Sequence, residues 1–150
     1  AIHRGLQTAR WPARLQIVQQ QPTIIVDAAH NADGMRVLVR HLAETFSWKR
    51  LLVVMGLLED KALPPVLKAW KNLRPHFIFA TPPSERARPA AQLAKAAKAL
   101  GFAAEAVDSP VEAFARARAD CGDGDLLCVT GSHYLIGELM KENLLPMPYQ

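Results

Sequence analysis

Short apolar runs at residues 23–26, 51–55, 77–80, 103–107 and 126–129 recur along the chain, each bounded by polar residues, Gly or Pro. Runs this short suit strands buried on both faces, and each is followed by a stretch of helical character. Residues 31–46 place Met35, Leu38, Val39, Leu42 and Phe46 at helical spacing. Pro64 and Pro65 suit the first turn of a helix over 63–73, and the Ala, Leu and Lys of 90–100 stop at Gly101. Pro110 opens a helix over 111–119, and Ser132 precedes a final one through Lys141. Strand followed by helix, again and again, predicts an α/β fold: a Rossmann-like, doubly wound, mostly parallel sheet of about six strands with helices on both faces. Residues 15–20 supply the extra strand at the sheet edge, where an antiparallel direction is allowed. Residues 1–10 and 144–150 are expected to be loosely held.

A chain of 150 residues, half of them hydrophobic and 21% charged, fits a single domain with a buried core. No apolar run approaches the roughly 20 residues of a membrane-spanning helix, and the N-terminus lacks a signal core, so a cytoplasmic protein is expected. Cys121 and Cys128 form no CxxC pair and have no histidines at metal-ligand spacing, which argues against a zinc site or a disulfide framework. Cys128 reads as a reduced core thiol. The net charge of +4 is spread from Arg4 to Lys141 without interleaved aromatics, which disfavours nucleic acid and leaves a small anion as the more natural partner. The chain begins at Ala1 without an initiator Met, as expected of a processed chain or of an excerpt from a longer one.

In doubly wound sheets, ligands bind beyond the carboxyl ends of the strands. Two of those positions are strongly polar here. After 23–26 comes Asp27-Ala28-Ala29-His30-Asn31, and after 126–129 comes Thr130-Gly131-Ser132-His133, each opening a helix whose free N–H groups favour an anion. Taken singly, these residues have plainer roles: Asn31 and Ser132 are good N-caps, Asp27 complements a helix dipole, and His30 fits a satisfied loop histidine. Two polar turns on one sheet edge can also converge on a ligand. The dinucleotide signature GxGxxG, the phosphate-wrapping GxxxxGK[ST] and the nucleophile turn GxSxG are all missing from the sequence.

Four ordered stretches carry a resemblance: Trp11-Pro12-Ala13-Arg14-Leu15, Asp27-Ala28-Ala29-His30-Asn31-Ala32, Gly56-Leu57-Leu58-Glu59-Asp60-Lys61 and Val129-Thr130-Gly131-Ser132-His133-Tyr134-Leu135. Together they resemble the motifs of the C-terminal domain of folylpolyglutamate synthase and dihydrofolate synthase, in the Mur ligase superfamily. The match runs from about Trp11 to Met140. It departs at Ala13 and Ala28, where the family often has Gly.

The resemblance implies that residues 1–150 form one Mur-ligase-type C-terminal domain, with a P-loop ATPase domain N-terminal to it and absent from this chain. It implies ATP-dependent amide formation: a carboxylate of dihydropteroate or a folate is phosphorylated, and L-glutamate attacks the acyl phosphate. ATP and Mg2+ are the implied cofactors, held mainly by the absent domain. Arg14 and Asp27 become ATP contacts. His30, Lys61 and Ser132 become glutamate contacts, with His30 also the candidate catalytic group. Arg14 and Asp27 pairing with each other is the plainer alternative, as is a surface role for Lys61. Trp11 and Trp70 read as packing, and Trp48 as partly exposed packing. No nucleic acid or membrane partner is implied, and a monomer is expected. Two other readings stay open: a stand-alone module that binds a nucleotide or amino acid, and the C-terminal domain of a muramyl amino-acid ligase.

Overall fold

Each apolar run forms a strand in the computed structural model, which describes residues 15–146. In chain order the elements are β1 (Gln16–Gln20), β2 (Thr23–Asp27), α1 (Ala32–Thr45), β3 (Leu51–Met55), α2 (Leu63–Lys68), a 3-10 turn (Lys71–Leu73), β4 (His76–Phe79), α3 (Ala90–Ala99), β5 (Ala103–Ala106), α4 (Pro110–Asp120), β6 (Leu126–Thr130) and α5 (His133–Lys141). They build a six-stranded sheet in the order β1-β2-β6-β3-β4-β5. Only the β1–β2 pair among them is antiparallel, so the expected edge strand is present in the expected sense.

Central β3 and β6 are buried at every position because both faces are covered, which explains their unbroken apolar sequences. Alternate residues feed two cores. Ile25, Val53, Met55, Phe77 and Phe79 pack against α1, α2 and α3, while Val26, Val54, Ile78 and Val129 pack against α4 and α5 on the opposite face. Cys128 lies in the first core, where burial, reinforced by the charge of Asp27, pushes its thiol well above the ordinary range.

The connections explain where a crevice must lie. From β2 the chain passes over the place of β6 to reach β3, then steps through β4 to β5. It returns through α4 on the other face and inserts β6 between β2 and β3. Adjacent strands therefore send their following loops to opposite faces of the sheet: β2 and β3 lead to α1 and α2, whereas β6 leads to α5. That divergence is the topological switch point at which such folds bind ligands.

Two expectations fail. The helix predicted over 63–73 ends at Lys68: beyond it the N–H groups of Trp70 and Leu73 bond three residues back, to the carbonyls of Leu67 and Trp70, and the stretch tightens into the 3-10 turn that left-handed Arg74 (φ 49°) and Pro75 close. Trp70, between α2 and the 3-10 turn, is fully buried, in keeping with its packing role. The tail is also held further than expected. Asn143 adopts φ 61°, the N–H groups of Leu144 and Leu145 return to the carbonyl of Leu139 at 2.8 and 3.3 Å, and Leu145 is buried. A left-handed Asn after a helix supplies that cap.

Candidate functional site

The carboxyl ends of β2, β6 and β3 are level: Asp27 is in register with Thr130, and Thr130 with Met55. Three of the four motifs therefore leave the sheet side by side. Close packing holds them together. A Cβ on Gly131 would lie 2.2 Å from the carbonyl oxygen of Gly56, and Gly131 sits at φ 107°, so only glycine fits there. The Thr130 hydroxyl donates to the carbonyl of Ala29 at 3.2 Å, and the N–H of Gly56 donates to the carbonyl of Thr130 at 3.4 Å.

Asp27 is oriented by backbone. Its Oδ1 accepts from the N–H of Ala29 at 2.8 Å, and its Oδ2 accepts from the N–H of Leu15 at 2.9 Å. The first of these bonds tightens the turn that carries His30. His30 is half-buried, with Nδ1 3.1 Å from the carbonyl of Ala28. A carbonyl only accepts, so Nδ1 carries the proton in this bond and Nε2 of the neutral ring is left with the lone pair. Asp27 and His30 line one cleft of about 360 Å³, together with Leu15 and the Gly34, Val37, Leu38 and His41 face of α1. Val37 is 62% exposed there, an apolar side chain facing solvent beside polar groups.

Ser132 is one strand away but turned inward. It is 3% exposed, and its Oγ accepts from the N–H groups of Tyr134 and Leu135 at 3.0 and 3.4 Å, so it caps α5 as the plainer reading expects. Asn31 caps α1 in the same way, its Oδ1 accepting from the N–H of Gly34 at 2.8 Å. Lys61 lines a separate hollow with Asn31, Asp33, Arg36 and Asp60, and its Nζ lies 3.4 Å from Asp60. Asn31 borders both spaces, so the N-terminus of α1 separates the Lys61 hollow from the Asp27 cleft. Arg14 and Trp11 lie outside the described residues.

Several participants escaped the sequence reading. Thr130 and Gly131 stand inside a quoted motif but were given no role. The His133 ring lies 6.3 Å from the His30 ring at a tilt of 49°, a pairing between adjacent strand ends that neither motif shows alone. Val37 and His41 carry a weak signal, since they follow Gly34 at helical spacing.

Comparison with known proteins agrees with this geometry. Residues 13–133 match the family model described as Mur ligase, glutamate ligase domain. The dihydrofolate synthase/folylpolyglutamate synthase of Bacillus subtilis is 29% identical over 94% of this chain, which spans 32% of that protein. The bifunctional folylpolyglutamate synthase/dihydrofolate synthase of Yersinia pestis, solved with AMPPNP and manganese, superposes with a TM-score of 0.85 at 30% identity, covering 96% of this chain and 34% of that one. A bifunctional folylpolyglutamate synthase/dihydrofolate synthase solved with manganese, AMPPNP and L-glutamate bound gives a TM-score of 0.84 at 30% identity, with the same coverage. The chain thus spans about a third of the length of these relatives. With a family model matched over most of its length and its strand-end motifs gathered on one sheet edge, the chain belongs to the Mur ligase, glutamate ligase domain family, and its relatives there are folylpolyglutamate and dihydrofolate synthases.

Proposed function

We propose that this chain is the glutamate-ligating lobe of an ATP-dependent, amide-forming ligase of the dihydrofolate synthase and folylpolyglutamate synthase type. The observation that carries this reading is that Asp27 and His30 line one cleft beyond the carboxyl end of β2, against α1, in a fold that covers 96% of this chain against a bifunctional synthase. A carboxylate of dihydropteroate or a folate takes the γ-phosphoryl group of ATP, giving an acyl phosphate and ADP. The amino group of L-glutamate then attacks the acyl carbon, an amide bond forms and phosphate leaves.

Each residue has a task that its chemistry suits. Arg14 offers a guanidinium to phosphate oxygens, and Asp27, held by two backbone N–H groups, accepts from the ribose hydroxyls. Glutamate must lose a proton from its ammonium before it attacks, and the lone pair that the Nδ1–Ala28 bond leaves on Nε2 of His30 suits that side chain to take it. Lys61 pairs with a glutamate carboxylate in exchange for Asp60, while Ser132, expected as a second glutamate contact, is buried as the cap of α5 and holds that turn rather than meeting substrate. Magnesium, in the role of the manganese ion of the Yersinia complex with AMPPNP, would neutralise phosphate charge. Among the described residues no group of three or more His, Cys, Asp or Glu is suited to hold a metal. We therefore assign the ion to the nucleotide phosphates and to an N-terminal ATPase domain of the same protein. A cytoplasmic monomer completes the proposal.

The test is turnover. The full-length protein, given ATP, L-glutamate and dihydropteroate or a reduced folate, should release phosphate only when glutamate is present and yield the glutamyl amide. The 150-residue chain alone should do neither and should bind ATP weakly. Turnover by the isolated chain, or submicromolar ATP affinity, overturns the division of labour.

A further inference from the structure

The loop that carries Lys61 has one internal backbone bond, the N–H of Lys61 donating to the carbonyl of Leu58 at 3.3 Å, and is otherwise held by the segment between β4 and α3. Leu58 and Ala87 form an isolated antiparallel bridge, flanked by the N–H of Glu59 donating to the carbonyl of Arg86 at 2.7 Å and the N–H of Arg88 donating to the carbonyl of Leu57 at 2.9 Å. The Arg88 side chain then reaches across. Its Nη2 donates to the carbonyls of both Glu59 and Lys61, at 3.0 and 2.7 Å, bracketing Asp60, the residue that pairs with the Lys61 ammonium. Its Nε is buried and has no hydrogen-bond partner. A buried donor left unmade is costly. The guanidinium therefore sits where the two carbonyls require it rather than where all its own donors are satisfied.

We propose that Arg88 is a positioning residue for the amino-acid substrate: it fixes the backbone on both sides of Asp60 and so sets where Lys61 meets a glutamate carboxylate. This rests on the reading of Lys61 as a glutamate contact. Lys in place of Arg keeps the charge and several donors on one nitrogen, but it lacks the planar guanidinium that fixes the direction of the two Nη2 hydrogens, so it is expected to hold the two carbonyls less well.

The experiment is a double-mutant cycle in the full-length enzyme, with KM for glutamate, KM for ATP and kcat measured for K61A, R88Q, R88K and K61A/R88Q. R88Q should raise the glutamate KM about tenfold, R88K should fall between it and the parent, and kcat and the ATP KM should stay within about twofold. In the K61A background R88Q should add almost nothing, because its effect passes through Lys61. If K61A leaves the glutamate KM unchanged, the Lys61 reading fails and the proposal with it. If K61A raises that KM while R88Q does not, or if R88Q acts undiminished in the K61A background, the positioning role alone is overturned. Should R88Q not fold, R88K and K61A/R88K run the same cycle with the charge retained.

Discussion

The hydroxyl of Thr130, at the carboxyl end of β6, donates to the carbonyl of Ala29, at 3.2 Å, 101 residues earlier in the chain. Thr130 is fully buried and Ala29 half-buried, and the bond ties the Asp27 turn to the strand beside it. Thr130→Val keeps the shape and removes the donor, leaving the Ala29 carbonyl without it. The expected loss is about 1 kcal/mol in chemical denaturation, with faster amide exchange at Ala29 and His30. Unchanged stability and exchange would show that the bond does not hold the turn.

Gly131 and Gly101 make a matched pair, since both have positive φ, at 107° and 90°. A Cβ at Gly101 meets nothing within 4 Å, whereas one at Gly131 strikes the Gly56 carbonyl. Gly101→Ala should cost only the backbone penalty of about 1–2 kcal/mol. Gly131→Ala should cost more than about 3 kcal/mol, since the ends of β6 and β3 must part. Equal denaturation midpoints for the two variants would contradict the close packing of those ends.

At the amino ends of β6 and β3, Asp125 accepts from Arg50 Nη2 at 2.8 Å and from the N–H of Gly122 at 2.9 Å. The Arg50 hydrogen bond first, and the Gly122 N–H second, hold its carboxyl below the usual carboxylate range. A carboxyl lowered in the folded state stabilises fully above its unfolded pKa of about 4, and that stability disappears as the pH falls through the lower folded value. Denaturation midpoints below about pH 4 should therefore drop more steeply for the parent than for Asp125→Asn. Parallel curves would deny Asp125 that role.

The runs that form β3 and β6 were legible because a strand buried on both faces has no choice but to be apolar, and the caps at Asn31 and Ser132 were legible because their chemistry is local. The insertion of β6 between β2 and β3 was not, since nothing in either sequence records its neighbour. The same reason hid the Thr130–Ala29 bond, the His30–His133 pairing and the grip of Arg88 on the Lys61 loop, all of which join distant segments. Asp27 and His30 were found as a pair because five residues of one turn carry both. Lys61 and Ser132 were named from motifs, and folding placed one in a neighbouring hollow and the other in a helix cap. The tightening to a 3-10 turn after Lys68 was not legible, since helical spacing continues through Leu73 and Pro75 marks only where that turn must close.

The central claim is that Asp27 serves ATP from this lobe. The most direct measurement is the ATP KM of the full-length enzyme carrying Asp27→Ala, read beside its thermal unfolding and beside Asp27→Asn, which keeps an acceptor oxygen but loses the charge. A charged hydrogen bond is worth about 1.5–3 kcal/mol, so the account predicts an ATP KM raised roughly tenfold or more in Asp27→Ala, less in Asp27→Asn, with cooperative unfolding retained in both. An ATP KM equal to the parent's in a folded Asp27→Ala enzyme would contradict it.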